Sequence, residues 1–154
     1  MVRILFEDLI SQEIGFINHG QGIHGVSDIL KKKDVQNYRN IGFIDNDKKN
    51  TPLYFDRFSV IEDHPYVSFK KHVDTNDYAV IVKPAIEKFI LSQLQEIGKY
   101  PSDYGLPDDF TLFRHQLKKM RIQYNVEYKR LIKDLKLNNA SGIAFILKHV
   151  RQLL

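Results

Sequence analysis

The chain has 154 residues, 43% apolar and 27% charged, which is one domain's worth of globular composition and excludes a disordered or fibrous chain. With no cysteine, disulfide scaffolds, cysteine-ligated zinc, iron-sulfur clusters and thiol nucleophiles are excluded as well. Net charge is +4, but Arg114 to Leu154 holds 10 basic and 2 acidic residues (+8), which leaves 13 against 17 (−4) for residues 1–113.

Val2 to Phe6 is a short apolar run that predicts a strand buried on both faces and ending on Glu7 and Asp8. Leu9 to Gln12 suits a turn of helix, and Ile14 to Ile17 is a second apolar run. Gly20, Gly22 and Gly25 then break the pattern before a helix expected from about Ser27 through Lys33. Ile41 to Ile44 predicts another buried strand, closed by the turn-rich loop Asp45 to Asn50. Thr51 to His64 alternates irregularly between Pro52 and Pro65, and Tyr66 to Phe69 suits a third or edge strand. Tyr78 to Val82 is a clear strand, followed by Lys83, Pro84 and a helical pattern from Ala85 to Ile97. Beyond the loop at Tyr100 to Asp109, spacings of three and four from Phe110 to Leu137 predict one long helix. A last helix through Leu153 is capped by Asn139 or Ser141.

Apolar strands alternating with helices predict an α/β fold with a mainly parallel sheet flanked by helices. The expected organisation is a core over residues 1–100 with a helical extension over 101–154, packed together as one compact domain. The first residues form no apolar h-region and no apolar run approaches a membrane span, so a cytoplasmic protein without a membrane anchor is expected.

In parallel sheets ligands gather outside the carboxyl ends of the strands, which is where Glu7, Asp8, Asp45, Asp47 and Lys83 fall. Asp45 and Asp47 flank one residue, and extended backbone turns positions i and i+2 to the same side. Two facing carboxylates repel unless a cation or a proton relieves them, and Mg2+ takes one or two carboxylates plus water and phosphate oxygens. The same Asp-Asn-Asp-Lys-Lys string is also ordinary turn composition on a solvated loop.

Glu7 closing a hydrophobic first strand, the glycine turn at Gly20 and Gly22, and Asp45-Asn46-Asp47 closing a later strand resemble the Toprim domain. That domain is shared by topoisomerases, primases and nucleases of the overcoming-lysogenization-defect type. The resemblance spans roughly residues 1–97, with Asp8 and Asn50 standing where the family commonly has glycine. It implies a general acid/base role for Glu7, Mg2+ or Mn2+ held by Asp45 and Asp47, and phosphodiester chemistry on nucleic acid or binding of it. Asp8, Lys83 and Glu87 are possible accessory groups. The same class of fold also allows a non-catalytic interaction or regulatory module.

A rival likeness uses the same acids. Glu7-Asp8, Asp45, Ser68 and Lys83-Pro84 resemble the acidic pair, phosphoacceptor, hydroxyl and lysine-proline of response-regulator receivers. Gly20 to Gly25 also fits G-x-G-x-x-G, with a plain glycine turn as the simpler reading.

Arg114, Lys118, Arg121, Lys129, Lys133 and Lys136 fall at helical intervals opposite the apolar stripe, where they form a phosphate-tracking surface or a solvated helix face. The stripe itself suits a homodimer seam through the C-terminal helices. The six histidines lack zinc-ligand spacing, and there is neither a P-loop nor a G-x-S-x-G motif.

Overall fold

The computed structural model describes residues 1, 5–6, 14–17, 22–32, 39–46, 51–119 and 124–153. Among the described residues, five strands form one mixed sheet in the order β1-β2-β5-β4-β3. They are β1 (Ile14–Ile17), β2 (Arg39–Asp45), β3 (Phe58–His64), β4 (Val67–His72) and β5 (Asp77–Val82). β1 with β2 and β2 with β5 pair parallel, whereas β5 with β4 and β4 with β3 pair antiparallel. The protein is therefore α/β as expected, but the sheet is mixed and not mainly parallel: of the four ladders among the described residues, two are antiparallel. The cause is local: a tight turn at Pro65 and Tyr66 makes β3 and β4 a hairpin, and the short bend at residues 73–76 leads straight back into β5.

Helix α1 (Gly22–Leu30) packs on one face of the sheet, burying Ile23, Val26 and Leu30 against Ile44, Ala79, Phe55 and Phe58. Gly42 makes this approach possible, because a Cβ there would stand 2.8 Å from Val26 Cγ1 and 3.2 Å from Leu30 Cδ1. α1 starts five residues before the predicted Ser27: Ile23, Val26 and Leu30 supply a helical stripe that outweighs the glycines. A 3-10 turn over Leu53–Arg57 covers the same face near Phe58.

The other face carries α2 (Ile86–Glu96), α3 (Phe110–Lys119), α4 (Val126–Leu137) and α5 (Ser141–Arg151). Ile41, Phe43, Val67, Phe69, Val80 and Val82 of the sheet meet Phe89, Phe113, Leu131 and Ile146 in one continuous core. Residues from both sides of position 100 share that core.

Three more expectations change. The long helix predicted over Phe110 to Leu137 is two helices, α3 and α4, with Asn125 capping the second by accepting from the Tyr128 amide at 2.6 Å. Spacings of three and four persist across such a break, so periodicity alone cannot reveal it; Tyr124, which that spacing would place on the apolar stripe of a continuous helix, is 66% exposed. Leu5 and Phe6, predicted in a strand, form a helical turn that is fully buried in the helical core. A short apolar run does not distinguish the two. Finally, of the segment expected at Tyr66 to Phe69, Tyr66 lies in the turn and Val67 to Phe69 belong to β4, an interior strand, while the irregular stretch before it supplies the edge strand β3. The turn expected at Leu9 to Gln12 lies outside the described residues. No helix among those described is long and apolar enough to cross a membrane.

Candidate functional site

β2 and β5 run parallel with Asp45 level with Val82, so both strands end at the same edge of the sheet. The turn after Asp45 is fixed by Asn46 N–H donating to the Val82 carbonyl at 2.9 Å, and Lys83 N–H donates to the Tyr66 carbonyl at 2.9 Å. Asp45 is partly exposed, and strand alternation from Phe43 directs it to the helical side of the sheet. Glu7, Asp8 and Asp47 lie outside the described residues. Among those described, no three His, Asp or Glu side chains group to hold a metal ion.

Lys83 and Ser68 come together, but on Asp63. Lys83 Nζ lies 3.2 Å from Asp63 Oδ1, and the Ser68 hydroxyl donates to the same oxygen. The Ser68 hydrogen bond, followed by that of Lys83, holds the Asp63 carboxyl below its ordinary range. Asp63 thus occupies the lysine and hydroxyl that the receiver likeness would turn toward Asp45. Glu87 is buried on α2 with Arg114 as its ion partner at 4.0 Å, and it adds to the burial that pushes the Tyr128 phenol well above its usual value. Gly22 opens α1 with φ of +68°, which places Ile23, His24 and Gly25 of the glycine motif within the helix.

Two clusters were not legible in the sequence. In the first, His64 Nε2 lies 3.2 Å from Ser141 Oγ, and Ser141 donates to Glu96 Oε2 at 2.7 Å. The residue types are those of a hydrolytic triad, but the order is reversed. The serine stands between histidine and carboxylate and gives its proton to the acid, while His64 Nδ1 faces the Tyr66 amide. Glu96 also accepts from the Ser141 amide at 2.8 Å, so it caps α5 from a neighbouring helix, a role that Ala140 at the cap position cannot fill.

The second cluster lies at the opposite end of β2 and β5. Asp77, 1% exposed, accepts from Asn40 Nδ2 at 2.9 Å, the Tyr54 hydroxyl at 2.9 Å and Thr75 Oγ1 at 2.7 Å. Tyr54 stacks on His72 with ring centroids 5.1 Å apart. Burial first, then the hydrogen bond to Asp77, raises the Tyr54 phenol far above its ordinary value, which keeps it a donor. Asn40 and Asp77 are adjacent across β2 and β5 but 37 residues apart in the chain, a separation no local motif spans.

The basic residues occupy two helices rather than one. Arg114 and Lys118 are exposed on α3, opposite buried Phe113 and Leu117. On α4, Lys129, Lys133 and Lys136 follow at i, i+4 and i+7, which aligns them in one row. Arg121 lies outside the described residues. No family model, curated protein or solved structure matches the chain.

Proposed function

We propose that the protein is a Toprim-like module that binds nucleic acid, or cleaves its phosphodiesters, with Mg2+ or Mn2+ at the carboxyl edge of β2 and β5. The observation that carries this reading is the position of Asp45: a partly exposed carboxylate at the end of a strand paired parallel on both sides. A carboxylate is a hard oxygen donor of the kind Mg2+ takes, and Glu7 and Asp47 would complete the set as the family resemblance implies, although Glu7 is preceded by a helical turn at Leu5 and Phe6 in place of the strand the likeness gives it. The cation would stabilise charge developing on phosphoryl oxygens, while Glu7 would carry the proton of the attacking or leaving oxygen. The row Lys129, Lys133, Lys136, with Arg114 and Lys118, suits contacts to the phosphate backbone. A cytoplasmic location fits such a role.

A non-catalytic interaction module of the same class is the second reading, favoured by the commitment of Lys83 and Ser68 to Asp63. Fluorescence anisotropy with labelled single- and double-stranded DNA and RNA tests nucleic-acid binding. Affinity is expected to fall steeply with salt, and replacing Lys129, Lys133 and Lys136 together by Glu is expected to weaken it about 100-fold or more. No binding at low salt, or no effect of that triple replacement, would contradict the basic face as the contact surface.

A further inference from the structure

The outward side of α4 carries two features that packing does not explain. The first is apolar: Tyr124 and Val126, at the amino end of the helix, are 66% and 72% exposed. The second is the row Lys129, Lys133 and Lys136, in which Lys133 is exposed and the other two are half-buried beside it. At about 100° per residue, Glu127 and Asp134 fall together on the far flank, about a quarter turn or more from every lysine of the row. Each acid accepts from an amide there, Glu127 from Asn125 Nδ2 at 2.7 Å and Asp134 from Asn138 Nδ2 at 3.1 Å. The lysine side of α4 is therefore its positive side.

Exposure of a ring does not by itself define a contact site, and Tyr100 supplies the contrast. It is also 66% exposed, but the loop Tyr100 to Asp109 holds Asp103, Asp108 and Asp109 and no basic residue. Such a loop repels phosphates, whereas the lysine row beside Tyr124 attracts them.

A row of cations that tracks a backbone, together with an aromatic face on which a base can stack, is how proteins hold unpaired nucleic acid. A duplex offers the phosphates but keeps its bases stacked on one another, so it satisfies the lysines and leaves Tyr124 bare. An anionic membrane surface is a poorer match, because the continuous apolar face of α4, Tyr128, Leu131, Ile132 and Leu135, is already buried in the core. We propose that this side of α4 binds single-stranded nucleic acid, with Lys129, Lys133 and Lys136 on backbone phosphates and a base stacked on Tyr124 beside Val126. The proposal rests on the reading of the lysine row as a nucleic-acid contact surface and adds to it a preference for unpaired strands.

Fluorescence anisotropy of the full chain at low salt, with labelled oligothymidylate and with a duplex of the same length, tests it. The single strand is expected to bind about tenfold tighter or more. Tyr124→Ala is expected to weaken single-strand binding about tenfold and to leave duplex affinity and its salt slope unchanged. Tyr124→Phe is expected to keep full affinity, because the contact is with the ring face, and Tyr100→Ala to change neither ligand. The chain has no tryptophan, so Tyr124→Trp adds a single indole whose emission the single strand is expected to quench and the duplex is not. A duplex bound as tightly as the single strand, or Tyr124→Ala without effect on the single strand, overturns the proposal and leaves the lysine row as a contact surface. Failure of both nucleic acids to bind at low salt overturns the two together, as does binding to anionic vesicles alone.

Discussion

The two ends of the parallel strands treat carboxylates in opposite ways. At the amino end of β5, Asp77 is buried and saturated by donors from Asn40, Tyr54 and Thr75. At the carboxyl end of β2, Asp45 is partly exposed beside a turn. A buried carboxylate is stable only when its lone pairs are satisfied, and once satisfied it has little left to offer a ligand. An acid at a strand end retains access to solvent, and with it access to a cation. Burial, more than residue type, separates the structural acid from the candidate functional one.

The largest effect is therefore expected at Asp77. Asp77→Ala leaves three hydrogen-bond donors facing a cavity, and urea unfolding is expected to show a loss of about 3 kcal/mol or more. A loss below 1 kcal/mol, roughly the value of one exposed polar contact, would remove the distinction between the two ends.

Glu96 is an intermediate case, an exposed carboxylate with a structural task. Its removal in Glu96→Ala frees the Ser141 amide and hydroxyl at the start of α5, and a cost of about 1 kcal/mol is expected by the same measurement. Were Ser141 instead a nucleophile, Ser141→Ala would abolish hydrolysis of activated esters while leaving stability unchanged; the hydrogen-bond order predicts no such activity.

A smaller effect comes from His149, stacked on Phe69 with centroids 4.5 Å apart and 3% exposed. Burial holds its imidazole below the ordinary value, although Glu62 pulls the other way. A folded-state value below the unfolded one means that the unfolded chain takes up the proton first. Stability is then fully present above about pH 6.5, the unfolded histidine value, and declines as pH falls below it. Denaturant midpoints measured from pH 7.5 to 5 are expected to show this decline, and His149→Phe is expected to flatten it.

How far these regions could be read from the chain depended on how local their causes are. β2, β5 and α2 were legible because contiguous apolar residues and a following proline or acid define them, and that reading located Asp45 at a strand end. β3 escaped because its bulge breaks the alternation by which a strand is recognised. The break between α3 and α4 escaped because both helices bury residues on the same spacing. The Asp77 cluster assembles from β2, a 3-10 turn and β5, whose only local hint is the Thr75-Asn76-Asp77 bend. The basic residues were visible by type, but their arrangement on two separate helices was not.

The central claim is that Asp45 serves a ligand while Asp77 serves the fold, and one paired measurement tests it directly. Mn2+ titration and thermal melting are followed on the unaltered chain, Asp45→Asn and Asp77→Asn. The account predicts that Asp45→Asn melts within about 2 °C of the unaltered protein and loses Mn2+ affinity at least about tenfold, whereas Asp77→Asn melts markedly lower. Unchanged Mn2+ binding in Asp45→Asn, or a melting temperature depressed as far as that of Asp77→Asn, would contradict it.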